Sequence, residues 1–193
     1  MIPPSIRLPE DPESHVLAEQ LRLRLAWLPY DAFAFCMVRL LRQLNFAGVE
    51  RSSRRSLKGP NDLSGIDIRA LLDTGLELVP VAVQVKRYKG PHHVPKRFVT
   101  ELRGALLERD IPYGLILSTF SFSREAHEAA RNYPGRPIRL VEGTELGLLM
   151  LVCRIGVVER TDLTTGKSSL LFDEEAFTFL EDYCRNQRKG GQR

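Results

Sequence analysis

Apolar positions recur along the chain with two different periods, and the alternation between them outlines the fold. From Glu13 to Leu28 the period is helical, with Leu17, Leu21, Leu25 and Leu28 on one face; Pro29 ends the run. Asp31 stands where an N-cap is needed for a second helix reaching Leu44, striped by Phe33, Met37, Leu40, Leu41 and Leu44. "FAGVER" has the length and composition of a short strand, and "KGPNDLSG" is a turn region. "IDIRALL" then alternates, with Ile66, Ile68 and Ala70 expected on one side and Asp67 and Arg69 on the other. "DTGLELVP" forms a tight reversal into "VAVQVKRY", where Val81, Val83 and Val85 make an apolar face.

The second half continues in the same way. "PKRFVTELRGALLERD" predicts an amphipathic helix, and "YGLILST" a wholly apolar strand of the buried type. Ser123 caps a helix from Arg124 to Asn132; "PIRLVEG" is another strand, and Thr144 caps the helix after it. "RIGVVER" and "SSLLF" form a hairpin around a Gly-containing loop, followed by a helix from Asp173 to Cys184. This order predicts an α/β fold, a mixed central sheet flanked by helices, with a C-terminal β-hairpin and helix.

One strand breaks its own pattern. Gln84 and Lys86 share a face of "VAVQVKRY", and Asp67 lies on the strand expected beside it. Asp67 offers a hard anionic oxygen, Gln84 a neutral oxygen and Val85 a backbone carbonyl, the donors that Mg²⁺ prefers. Lys86 is a compact cation able to orient water or to face a phosphate. Together they suit phosphodiester hydrolysis. A polar pair on the solvent face of an antiparallel strand gives the same local pattern.

Charge adds a direction. The 193 residues carry a formal charge of +4 with pI near 9.1, and the distribution says more than the sum. Arg51, Arg54, Arg55 and Lys58 form one acid-free stretch; Lys86, Arg87, Lys89, Lys96 and Arg97 form another, interspersed with His92 and His93. The tail 185–193 is a third. Such stretches can neutralise phosphates, or they can be solvated loops. The histidine pair fits an exposed loop, His127 a structural role, and Ser118, Thr119, Ser121 and Ser123 either turn and cap duty or backbone contacts to DNA. Cys36, Cys153 and Cys184 are widely spaced, which argues against a zinc knuckle or a disulfide framework. No apolar run approaches the about 18 residues of a membrane span, and no signal pattern opens the chain, so a cytoplasmic protein with no membrane partner is expected.

"SGIDIRALL…VAVQVKRYKG" resembles the core of the Mrr-type restriction endonuclease family, within the PD-(D/E)xK nuclease superfamily. "FAFCMVRLLRQLNF", "VTELRGAL", "YGLILSTFSFSREAHEAA", "IRLVEGTELGLLM" and "IGVVER…LLFDEEAF" are similar to further family elements in the same order, over about residues 31–180. The resemblance implies a restriction-endonuclease-like fold: an extension and helix at 1–30, a nuclease core at 31–155, a hairpin and helix at 156–184 and a basic disordered tail at 185–193. It implies a Mg²⁺-dependent endodeoxyribonuclease, with Mn²⁺ as substitute, acting in defence against foreign DNA, alone, as a homodimer or within a defence complex. Asp67 would bind the metal with Gln84 and the Val85 carbonyl, in the QxK form of the motif, and Lys86 would be the catalytic lysine. Arg51, Arg54, Arg55, Lys58, Arg87, Lys89, Lys96 and Arg97 would contact DNA. One position departs: the family often carries a glutamate directly after the leading Phe of its first helix, and here Phe33 is followed by Ala34. Asp62, Glu77 and Glu101 are the acids that could compensate. A catalytically degenerate subunit that binds DNA or a partner without cutting is the alternative.

Overall fold

A computed structural model of the chain describes residues 6–52, 65–90 and 93–190. Helices α1 (Pro12–Trp27) and α2 (Tyr30–Gln43) lead into strands β1 (Phe46–Arg51), β2 (Ile68–Asp73) and β3 (Leu78–Lys86). Then follow α3 (Lys96–Glu108), β4 (Tyr113–Ser118), α4 (Arg124–Arg131), β5 (Ile138–Val141) and α5 (Gly143–Val152). Strands β6 (Val157–Thr161) and β7 (Ser168–Phe172) form the hairpin, and α6 (Glu174–Gly190) ends the described chain.

Strands β1 to β5 lie side by side in chain order. The β1–β2 and β2–β3 pairs are antiparallel, whereas β3–β4 and β4–β5 are parallel. Helices α3 and α4 supply the parallel crossovers. Each sheet face carries its own core. Val81, Val83 and Val85 join Leu115 and Leu117 beneath residues of α1, α2 and α5. Ala82, Ile116 and Leu140 join Val99, Leu102 and Leu106 of α3 and Ala126 of α4. Strand β3 is therefore buried on both faces, and Gln84, at 3% exposure, sits under α3 rather than in solvent.

Four local expectations change. Ile66 packs on the α3 side, opposite Ile68 and Ala70, because regular β2 begins only at Ile68 and the chain before it leaves the period-two alternation. The cap of α2 is Pro29 and that of α5 is Glu142, so neither Asp31 nor Thr144 occupies the capping position. Residues 185–190, expected in a disordered tail, continue α6: no breaker precedes Gly190, and Arg185 pairs with Asp182 one turn earlier, a spacing that supports helix. Trp27, at the end of α1, is 61% exposed.

Helix α1 is built into the domain. Leu21, Leu25 and Leu28 belong to the core beneath the sheet, so the leucine face is not available to a dimer partner. Its backbone lies against α5 at Gly147, where a Cβ would stand 2.1 Å from the Ala18 carbonyl oxygen. Only glycine permits that approach.

Candidate active site

Asp67 sits just before β2, and both its backbone and its side chain are fixed. Its N–H donates to the Val83 carbonyl and its own carbonyl accepts from the Ser52 N–H, each at 2.9 Å. This holds the residue between the end of β1 and the middle of β3. One carboxylate oxygen, Oδ2, accepts from the Val85 N–H at 2.8 Å; the other, Oδ1, accepts from the Tyr30 hydroxyl at 2.7 Å. In an extended strand the N–H and C=O of one residue point to the same edge, so the Val85 carbonyl also faces the Asp67 side.

Gln84 and Lys86 reach the same place from the other direction. Both share the α3-facing side of β3, and both line a cleft of about 480 Å³ with Tyr30, Asp67, Phe98 and Glu101. The Gln84 Oε1 is buried and has no hydrogen-bond partner among the described residues. A buried acceptor left unpaired costs about 1–3 kcal/mol, so its presence at this point calls for a donor or a cation. The Lys86 Nζ lies 3.7 Å from the centroid of the Phe98 ring. Burial pushes its pKa down; Asp67 and Glu101 oppose that shift, and Arg97 adds to it.

The chain beyond Lys86 is clamped. Thr119 donates its N–H to the Lys86 carbonyl at 3.1 Å, and its hydroxyl accepts from the Tyr88 N–H at 2.9 Å while facing the Tyr88 carbonyl at 3.1 Å. Arg22 of α1 donates to the Thr119 carbonyl at 2.9 Å. Thr119 thus serves the backbone, as does Ser118, whose hydroxyl accepts from the Phe120 N–H; Ser123 caps α4. His93 is exposed, with its Nδ1 2.8 Å from the Ser121 hydroxyl, and His127 meets Glu142 at 3.1 Å.

The cationic residues divide by environment. Arg51 lies at the same end of the sheet as Asp67 and is ion-paired with Asp31 at 2.9 Å. Arg87 lines the cleft and donates to the Ala26 carbonyl at 3.1 Å. Lys89 is exposed, 4.8 Å from the Trp27 ring. Lys96 and Arg97 are exposed in the first turn of α3, a turn without an acid. Two cations at the positive end of a helix dipole are unfavourable unless an anion joins them. Arg54, Arg55, Lys58, Asp62 and His92 lie outside the described residues.

Of the acids considered as compensation, Glu101 lines the cleft, whereas Glu77 belongs to the β2–β3 turn at the opposite end of the hairpin. Ala34 is buried in α2. Tyr30, one helical turn before Ala34 and on the same face, is the site residue that the sequence did not disclose. Among the described residues no group of three or more His, Cys, Asp and Glu side chains gathers to hold a metal. The donor set that fits a hard divalent ion is mixed: one carboxylate, one amide oxygen with an unfilled acceptor site, and one backbone carbonyl.

The family model described as "Restriction endonuclease" (Mrr_cat) matches residues 26–150. Among solved structures, the chain resembles the MspJI restriction endonuclease in complex with a 27-mer oligonucleotide, with 20% identity and a TM-score of 0.50. That match covers 76% of this chain and 34% of the other. It also resembles the DNA modification-dependent restriction endonuclease AspBHI, with 22% identity and a TM-score of 0.54, over 77% of this chain and 37% of the other. The chain thus corresponds to about a third of each, and the likeness is one of fold. No curated protein matches. Among the described residues no helix is long and apolar enough to cross a membrane. The matched segment spans α2 to α5 and carries every residue of the cleft, and the chain belongs to the Mrr_cat restriction endonuclease family.

Proposed function

We propose that the chain is a divalent-metal-dependent DNA endonuclease that uses Mg²⁺, with Mn²⁺ as substitute, in defence against foreign DNA. Family and fold support a DNA nuclease. The observation that carries the site assignment is the meeting of Asp67, Lys86 and the unpartnered Gln84 Oε1 in one cleft. Asp67, Gln84 and the Val85 carbonyl would hold the ion. When bound, the ion supplies Lewis acidity and positive charge at the scissile phosphate. Tyr30 and the Val85 N–H fix the Asp67 carboxylate in one orientation. Phe98 confines the Lys86 ammonium, which orients the attacking water and neutralises developing charge on phosphate oxygens. Lys96 and Arg97 grip the DNA backbone beside the cleft, where an arriving phosphate also compensates the α3 dipole.

Supercoiled plasmid incubated with the purified chain in Mg²⁺, Mn²⁺ or EDTA tests this reading. Metal-dependent nicking or linearisation is expected, with loss of at least a hundredfold in Lys86→Ala and Asp67→Ala. Full activity in either folded variant sinks the site assignment. A second reading, a non-cutting DNA-binding subunit, is favoured by the single carboxylate among the ligands and by Ala34. Metal-independent DNA binding with no cleavage in either ion would select it.

A further inference from the structure

The chain has one tryptophan, and it stands beside the cleft with most of its surface open. Trp27 ends α1 at 61% exposure, while Ala26 before it is 1% exposed and Leu28 after it is fully buried. Its neighbours come from the segment that leaves the candidate catalytic strand. Arg87 is tied to the Ala26 carbonyl at 3.1 Å and lines the cleft with Lys86. Lys89 stands over the indole at 4.8 Å. Lys89 follows Lys86 by three positions, at most about 11 Å of chain.

Helix packing does not account for the indole, since the buried face of α1 is complete without it. The contact with Lys89 leaves the greater part of the ring surface in water. An open aromatic face flanked by cations is the pairing that binds unpaired nucleobases: the ring stacks on the base and the ammonium neutralises a neighbouring phosphate. Paired bases inside a duplex present no free face, so such a contact favours a single-stranded or frayed segment. We infer that Trp27 and Lys89 form a stacking site for an unpaired nucleobase next to the scissile phosphate. The inference rests on the nuclease reading for its location and makes its own claim about binding.

The sole tryptophan is also the reporter. The full chain in EDTA is titrated with a single-stranded oligonucleotide and with the blunt duplex of the same sequence. Binding is followed in parallel by indole emission and by anisotropy of labelled DNA. Quenching that saturates with binding is expected, with the single strand preferred. Trp27→Ala should weaken single-strand binding about tenfold, Trp27→Phe should keep most of it, and Lys89→Ala should be intermediate. An indole emission unmoved at saturating DNA overturns the inference, as does a Trp27→Ala variant that binds like the parent. Because no cleavage occurs in EDTA, the two readings separate. Quenching by a chain that never cuts in Mg²⁺ or Mn²⁺ supports the stacking site and sinks the nuclease. Lys86-dependent cutting with unmoved emission does the reverse.

Discussion

Gln84 poses the sharpest question at the scale of single residues. An amide in place of a carboxylate, buried with its oxygen unfilled, leaves Asp67 as the one anionic donor of the proposed ligand set. Gln84→Glu changes one atom's charge and little volume. It should tighten Mn²⁺ binding by about tenfold, a modest share of a buried ionic contact, as read by calorimetric titration. An unchanged affinity would mean that Oε1 does not face the ion. The residues of this cleft were legible in unequal measure. Gln84 and Lys86 could be placed on one face from sequence because strand alternation makes spacing equivalent to direction, whereas Asp67, which precedes regular β2, was singled out by its place in the family-like motif. Tyr30 could not: its partner lies 37 positions away, and locally it is merely the residue between a helix-stopping proline and an acid. Thr119 was visible only as one of several hydroxyls, since its role is to bond the backbone of a distant strand end.

At the scale of elements, the helix–helix crossing at Gly147 is the least tolerant point described. The Ala18 carbonyl lies where a methyl group would have to go, and it is backbone that cannot swing aside. Gly147→Ala should therefore cost about 2 kcal/mol or more, although alanine is the better helix former by about 1 kcal/mol. Chemical denaturation would measure it; a neutral or stabilising result would mean that α1 shifts freely on α5. Sequence periodicity predicted both helices but not their contact, because a glycine within an apolar run carries no signal of what approaches it. The same limit explains Ile66. Alternation assigned it to the face of Ile68, while the chain turns between them to bring Asp67 into the site. The extent of α6 was missed for a different reason: a run of polar and basic residues reads as tail, yet nothing in it before Gly190 opposes helix.

For the whole molecule, the order of elements and the helices on both sides of the sheet were legible, and the burial of Gln84 was not. Alternation in β3 suggested one apolar and one open face, but alanine and glutamine on the second face lie beneath α3. Global stability also carries a pH signature from this density of packing. Cys36 is buried against the sheet, and burial pushes its thiol up to about 12 from an ordinary value of 9.0. The unfolded chain therefore releases this proton first as pH rises. The contribution is fully present below pH 9 and declines between 9 and about 12. Cys36→Ala should lose stability overall through the cavity, yet fall less steeply than the parent from about pH 8 to about pH 10, by roughly 1 kcal/mol. Equilibrium unfolding at both pH values reads the difference; parallel slopes would refute the assignment to Cys36.

The two polar grips that α1 exerts have a consequence for where a minimal fragment of this fold can begin. Arg22 holds the carbonyl of Thr119, and the Ala26 carbonyl holds Arg87, so the first helix fastens both chain segments that leave the cleft. The family match starts at residue 26, inside the last turn of that helix. A fragment cut at the edge of family likeness would keep every residue of the cleft and the Ala26 carbonyl but lose Arg22, one of the two grips. The border of family likeness thus falls inside a helix whose earlier turns, through Leu21 and Leu25, belong to the same core.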